Sequence, residues 1–326
     1  MRIVADYFRE LGRGTIAGWN RFWFTPSDPA TLGLIRILAG SMLFYTHLVW
    51  SFDLESFFGT PGWLSPEALK LENRIGAWSY FDLIHSTSGL WIAHIAALVV
   101  FALLTIGLFS RVMAVLAFLI TVSYANRVPQ AWFGLDDINA LLAMYLMVGP
   151  SGAAYSVDRW LRRGRAGEGA PARPSTSANL AIRLMQVHMC VVYLFSAMGK
   201  LEGESWWGGQ AIWLSVANLE YQSLDMTWLA NHRWLINALT HFTVFWELSY
   251  CVLVWPRLLR PLVIGAAIFT HLGIAIALGM PTFGLVMLIG NAAFLSPALM
   301  RRIIDRRARQ GRGGEAESQQ PLAGAV

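Results

Sequence analysis

The chain has 326 residues, 56% of them hydrophobic and only 14% charged, with a mean hydropathy of +0.47. Charged residues make up about 25% of a typical globular domain, so the composition excludes an ordinary water-soluble domain and points to helices in a bilayer. The net charge of +5 is therefore read through membrane topology, and nothing in it calls for nucleic acid.

The first 24 residues place Arg2, Arg9, Arg13 and Arg21 between apolar residues, with no hydrophobic run leading to a small-residue cleavage site. This predicts an amphipathic helix lying on the membrane surface and ending in an aromatic anchor, Trp19 to Phe24, rather than a secretory signal peptide. Eight apolar segments follow, at 31–50, 88–109, 111–128, 135–149, 179–199, 236–255, 260–279 and 283–298. Several are shorter than the roughly 20 residues of an ideal span, which implies soft boundaries and tilt.

Basic residues assign the sides. With the N-terminus cytoplasmic, 18 basic residues fall on inside segments and five (Lys70, Arg74, Arg127, Lys200 and Arg233) on outside loops, while Arg36 and Arg183 lie within spans. That bias predicts eight crossings and two cytoplasmic termini. The fold class is all-α: a polytopic integral membrane bundle over residues 25–300, with helices 1–4 and 5–8 joined by a Gly/Pro/Ser-rich linker at 164–178. Loop 51–87 carries Asp53, Glu55, Glu67, Glu72 and Asp82 among aromatics and is expected to cap the extracytoplasmic face. Residues 301–326 read as a basic, then disordered, cytoplasmic tail. Cys190 and Cys251 sit in apolar runs and read as packing residues.

The stretch from Tyr193 to Trp207 stands apart. An apolar helix runs into Lys200, Glu202, Glu204 and the pair Trp206–Trp207 where it should leave the bilayer. Only Lys70 and Lys200 are lysines, so 23 of the 25 basic residues are arginine. A lysine at that boundary either snorkels as an anchor or, partly desolvated, gives up its proton and serves as a base; an arginine has only the first option.

Ionisable residues inside spans are costly and face a bundle interior or a wet cavity. By depth, His47, His94 and Lys200 sit on the outer side, His241 near the outer face with Glu247 about 9 Å deeper, and His271 near the midplane. Glu247 and His271 fall at comparable depth on successive helices. Their expected contact reads either as a buried structural pair or as part of a site. No His-x-x-x-His or Glu-x-x-His spacing supports a metal, and no phosphate loop or nucleophile elbow occurs.

Four stretches carry a family resemblance: Thr25-Pro-Ser-Asp28-Pro29 leading to Arg36, Gly107-Leu-Phe-Ser-Arg111, Tyr155-Ser-Val-Asp158, and Tyr193 to Trp206 with its Lys200-Leu-Glu202. Together with the spacings of His241, Glu247, His271 and Phe294-Leu-Ser-Pro297, they resemble the membrane domain of vitamin K-dependent γ-glutamyl carboxylase and its bacterial relatives, the horizontally transferred transmembrane (HTTM) family. The resemblance covers about residues 20–300. It implies a cofactor, vitamin K hydroquinone or menaquinol, with Lys200 as the base that deprotonates it. It further implies catalytic roles for His241, Glu247 and His271, and quinol contacts from Trp206, Trp207, His94 and Arg36. Its bacterial members imply a multi-pass protein of the bacterial cytoplasmic (inner) membrane, with a small secreted peptide or protein as partner or substrate.

Three departures bear on that transfer. The carboxylase's large extracytoplasmic domain has no counterpart in the sequence. Its Asn-His pair at the start of helix 4 falls near Gly134-Leu135, beside Asp136 and Asp137. Apolar Ile274 and Ile276 replace the polar residues that follow its helix 7 histidine. Processive carboxylation of a propeptide-tagged protein is therefore not expected, and two readings stay open. One is a quinol-dependent membrane enzyme; the other is a non-catalytic membrane partner in maturation of, or immunity to, a secreted peptide.

Overall fold

The structure, a computed structural model, describes residues 2–60, 62–65, 68–69, 77–166 and 172–302. The described residues are all-α. In chain order the helices are α1 (Arg2–Phe24), α2 (Ala30–Trp50), α3 (Leu54–Phe58), α4 (Thr87–Ile106), α5 (Ser110–Arg127), α6 (Gly134–Val148) and α7 (Val157–Ala166). They continue with α8 (Thr176–Leu201), α9 (Glu204–Trp207), α10 (Ala211–Val216), α11 (Arg233–Leu253), α12 (Arg260–Ala277) and α13 (Pro281–Asn291). Each of the eight apolar segments falls on one of α2, α4, α5, α6, α8, α11, α12 and α13. Four helices, α2, α4, α8 and α12, are long and apolar enough to cross a membrane, and residues 281–294 form a shorter apolar helical stretch.

Local chemistry sets the helix starts. Ser86 Oγ accepts from Gly89 N ahead of α4, and Ser175 Oγ accepts from Ala178 N ahead of α8, each satisfying a donor that has no partner within its helix. Pro261 and Pro281 open α12 and α13, where a missing N–H costs nothing. The predicted linker at 164–178 is shorter than its composition implied. Helix α7 runs to Ala166, Ser175 pairs with Ser27, and α8 begins at Thr176, while residues 167–171 and the tail from 303 onward lie outside the described residues.

Packing gathers the helices into two neighbouring groups around one continuous apolar core, α2 with α4, α5 and α6, and α8 with α11, α12 and α13. In the described part of loop 51–87, α3 and residues 77–84 fold over the ends of α2 and α5. There Phe58 stacks on Phe81, and Arg127 donates to the carbonyls of Phe58, Gly59 and Leu64. Helix α1 has exposed side chains from Ile3 to Arg21 and touches the bundle at its end, where the Asn179 amide donates to the Phe22 and Trp23 carbonyls.

One turn locks the first group. Gly107 adopts φ +75°, a left-handed conformation that closes α4, and Phe109 follows at φ +50°. Asp158 holds this turn by accepting from Phe109 N, Ser110 N and Ser110 Oγ, each at 2.8 Å. Burial acts to raise the Asp158 pKa, but these hydrogen bonds and Arg162 outweigh it and hold the carboxyl below its ordinary value. A depressed carboxylate contributes stability that is complete above the unfolded-state pKa, about 3.9, and is lost as pH falls through the lower folded value. Thermal unfolding in detergent should therefore show a loss of stability below about pH 4 that Asp158→Asn reduces; equal acid sensitivity in both proteins would refute this assignment.

Candidate functional site

A cavity of about 590 Å³ opens among α8, α11, α12 and α13, roofed by α10 and the segment around Met226 to Leu229, with the start of α6 at its edge. Its wall is mainly apolar. The polar side chains that matter are Lys200, Glu247, Ser196, His271, Tyr193 and Asp137.

Lys200 sits in the last turn of α8. Long helical side chains run back toward the N-terminus, and Lys200 accordingly reaches Ser196, one turn earlier, with Nζ donating to Oγ at 2.6 Å. The same Nζ donates to Glu247 Oε2 at 2.7 Å. Beyond α8, Gly203 lets the chain fold into α9, which brings the Trp206 ring to 5.3 Å from Nζ. An ammonium over an indole face gains from the ring quadrupole. Side-chain exposure is 20% for Lys200 and 8% for Glu247, so the carboxylate is the more deeply buried partner.

A second polar chain runs behind the wall and reaches the cavity at Tyr193 and His271. Tyr250 O–H donates to Asn291 Oδ1 at 2.7 Å, and Asn291 Nδ2 donates both to the Met287 carbonyl and to Tyr193 Oη, each at 2.8 Å. A carbonyl can only accept, so the Met287 contact fixes which end of the Asn291 amide is nitrogen. Tyr193 Oη accepts from Asn291, leaving its own proton for His271 Nε2 at 2.8 Å. His271 must then carry its proton on Nδ1. That atom is buried in a cavity-lining residue and has no hydrogen-bond partner among the described residues. A buried donor without a partner carries a cost in stability.

Not every residue singled out in the sequence joins this cavity. Glu247 and His271 both line it but do not bond to each other: Lys200 takes the first and Tyr193 the second. His241 lies outside the lining, its Nδ1 donating to the Asn237 carbonyl one turn away at 2.9 Å and its ring stacking on Phe245. Trp206 lines the cavity, whereas Trp207 is exposed and donates to the Leu201 carbonyl. His94 is buried in the other group, bonded to Ser51 at 2.8 Å and Tyr124 at 2.6 Å. Arg36 is also in that group and fully buried, its Nη1 and Nη2 donating to the carbonyls of Leu104, Thr105 and Tyr155 while Nε has no partner among the described residues. Neither His94 nor Arg36 is free to meet a ligand in the main cavity. No cluster of three or more His, Cys, Asp or Glu side chains able to hold a metal occurs among the described residues.

The fold and cavity define a helical membrane-type protein with a largely apolar chamber whose wall holds a partly buried Lys–Glu pair. The family model of the HTTM domain matches residues 24–298, nearly the whole of the described bundle, and the chain belongs to the HTTM domain family. No curated protein and no solved structure matches the chain.

Proposed function

We propose that this protein is a quinol-dependent integral membrane enzyme of the carboxylase-like type, with Lys200 as its base. The observation that carries the reading is the Lys200–Glu247 pair at 2.7 Å in the wall of a 590 Å³ apolar cavity. Small-molecule sites run to about 300–1,000 Å³, largely apolar with a few convergent polar groups, which is the character of this chamber. A naphthoquinol, vitamin K hydroquinone or menaquinol, fits that description: a flat apolar body with two oxygens. When bound with oxygen present, such a quinol supplies the reducing equivalents and, on oxygenation, a strong base.

The residues divide the remaining work. Lys200 Nζ takes the proton from a hydroxyl, breaking O–H and forming N–H. It is competent only after its own extra proton has moved away, and Glu247 Oε2, its hydrogen-bond partner, is the group positioned to receive it. The pair thus stays neutral overall in either arrangement, which suits a low-dielectric chamber. His271, held by Tyr193, shapes the same chamber, while Trp206 and the apolar walls exclude water. The eight helices, with the arginine-rich end cytoplasmic, would place this chamber toward the outer face of a bacterial inner membrane, where a secreted peptide would meet it.

Purified protein given vitamin K hydroquinone or menaquinol, oxygen and bicarbonate should yield quinone epoxide by chromatography. A folded protein that forms none and does not bind quinone sinks the proposal and leaves the non-catalytic peptide-maturation or immunity role. A second outcome follows from the polar chain. Tyr193→Phe deletes the proton that pins His271, so menaquinone binding, read by tryptophan quenching, should weaken about five- to tenfold, the loss of one hydrogen bond of about 1 kcal/mol or slightly more. Unchanged affinity would remove His271 from the ligand site.

A further inference from the structure

At the opposite, arginine-rich end of the bundle a second charged group has no role in that chemistry. The Arg183 guanidinium of α8 lies 4.4 Å over the Phe22 ring of α1 and 6.0 Å from the Trp255 ring after α11. Arg260, the first residue of α12, meets the same tryptophan: its Nη2 donates to the Trp255 carbonyl at 2.9 Å and its Nε to the Val254 carbonyl at 3.0 Å. Arg183 and Arg260 repel one another, and Arg257, exposed in the connecting turn, adds a third positive charge against Arg260. None of the three has a carboxylate within ion-pair distance among the described residues. Gln186 Oε1 satisfies one Arg183 nitrogen at 2.9 Å, but its buried Nε has no partner.

Like charges gathered on an aromatic floor cost energy unless an anion completes them. The surroundings say which anion. Helix α1 ends against this group, with Phe22 5.4 Å from Trp255. Apolar Ile3, Val4, Tyr7, Phe8, Leu11 and Trp19 lie along one side of α1, and all are exposed. A helix of that pattern lies in a lipid headgroup layer, which puts Arg183 and Arg260 at phosphate depth. Basic pockets between helices at a membrane boundary take phosphate headgroups through charge-assisted hydrogen bonds.

We infer that Arg183 and Arg260, walled by Phe22 and Trp255, form a binding site for the phosphate of an anionic phospholipid headgroup. The lipid would seat α1 against α8 and α12 and fix the bundle in its membrane. This site is independent of the quinol reading.

The test is thermal unfolding of full-length protein in neutral detergent, titrated separately with dioctanoyl phosphatidylglycerol, dioctanoyl phosphatidylcholine and inorganic phosphate. Phosphatidylglycerol should raise the unfolding temperature saturably and the zwitterionic lipid should not. Arg183→Gln and Arg260→Gln should each weaken half-saturation about fivefold, as expected for about 1 kcal/mol per basic residue near a phosphate surface. A saturable response to inorganic phosphate that the same variants abolish would keep the site but make its natural ligand a free phosphate. Equal responses to both lipids, or variants that titrate like wild type, overturn the inference. Should the variants not fold, native mass spectrometry of the wild type decides: no preferential retention of phosphatidylglycerol over phosphatidylcholine overturns it as well.

Discussion

Lys200→Arg is expected to end quinol epoxidation, by a factor of at least about 100, while leaving the protein folded. Removal of a positioned general base costs about 10²–10⁴ in rate, and the guanidinium cannot act in its place because it does not lose its proton in water-excluded or aqueous settings near neutral pH. The arginine nevertheless retains the positive charge that Glu247 requires, so the variant separates base chemistry from charge balance. Lys200→Ala is the less informative change. It strands a carboxylate of 8% side-chain exposure without its partner, and breaking a buried pair in that way costs about 3–5 kcal/mol. Loss of activity in Lys200→Ala could thus reflect an unfolded chamber. The informative comparison sets wild type beside Lys200→Arg at equal unfolding temperature, with epoxide quantified by chromatography. A Lys200→Arg protein that is folded and retains a tenth or more of wild-type epoxide formation would show that Lys200 anchors the helix end and that the base lies elsewhere.

The sequence carried the architecture further than it carried the site. Each of the eight apolar segments became a helix because long apolar runs in a bilayer have few alternatives that satisfy their backbone groups. The Gly107-Leu-Phe-Ser-Arg111 stretch, picked out by the family resemblance, forms the turn between α4 and α5. Lys200 was legible from its rarity and its place at a helix end. Its partner was not, because depth along a helix does not give rotation about it. Glu247 and His271 were expected at comparable depth and both line the cavity, yet Glu247 turns to α8 and His271 to Tyr193. The chain Tyr250–Asn291–Tyr193 was invisible for the same reason: two tyrosines and an asparagine in apolar runs read as helix-packing residues until three helices bring them together. Arg36 and His94 misled in the other direction. Both are charged or titratable groups within spans, which fits a ligand contact, but they lie in the other helix group, tied to the backbone carbonyls of a turn and to the hydroxyls of Ser51 and Tyr124.

Arg36 also carries the largest expected structural effect. Its guanidinium, 0% exposed, ties the end of α4 to the segment after α6 by donating to Leu104, Thr105 and Tyr155 carbonyls. Arg36→Met keeps the apolar stem and leaves three carbonyls short of a donor in a dry setting, at about 1–3 kcal/mol for each group fully orphaned; since carbonyls retain other bonds, a net loss of about 3–5 kcal/mol is expected. Gly107→Ala attacks the same clamp from the other side. A Cβ at Gly107 would fall 1.9 Å from Arg36 Nη1 and 2.5 Å from Ser156 Cβ, at a φ of +75° that alanine tolerates poorly. Alone it should cost about 3 kcal/mol or more, mostly by pushing the guanidinium off its carbonyls. Because both substitutions break one clamp, their effects should not add. With Arg36 already replaced by the more flexible methionine, Gly107→Ala keeps only its backbone strain and the Ser156 contact, so the double variant should be more stable than the two losses summed by at least about 1 kcal/mol. Denaturant unfolding of the four proteins in one detergent reads this directly, and additive losses would mean that Arg36 and Gly107 stabilise the bundle independently, with no shared clamp between them.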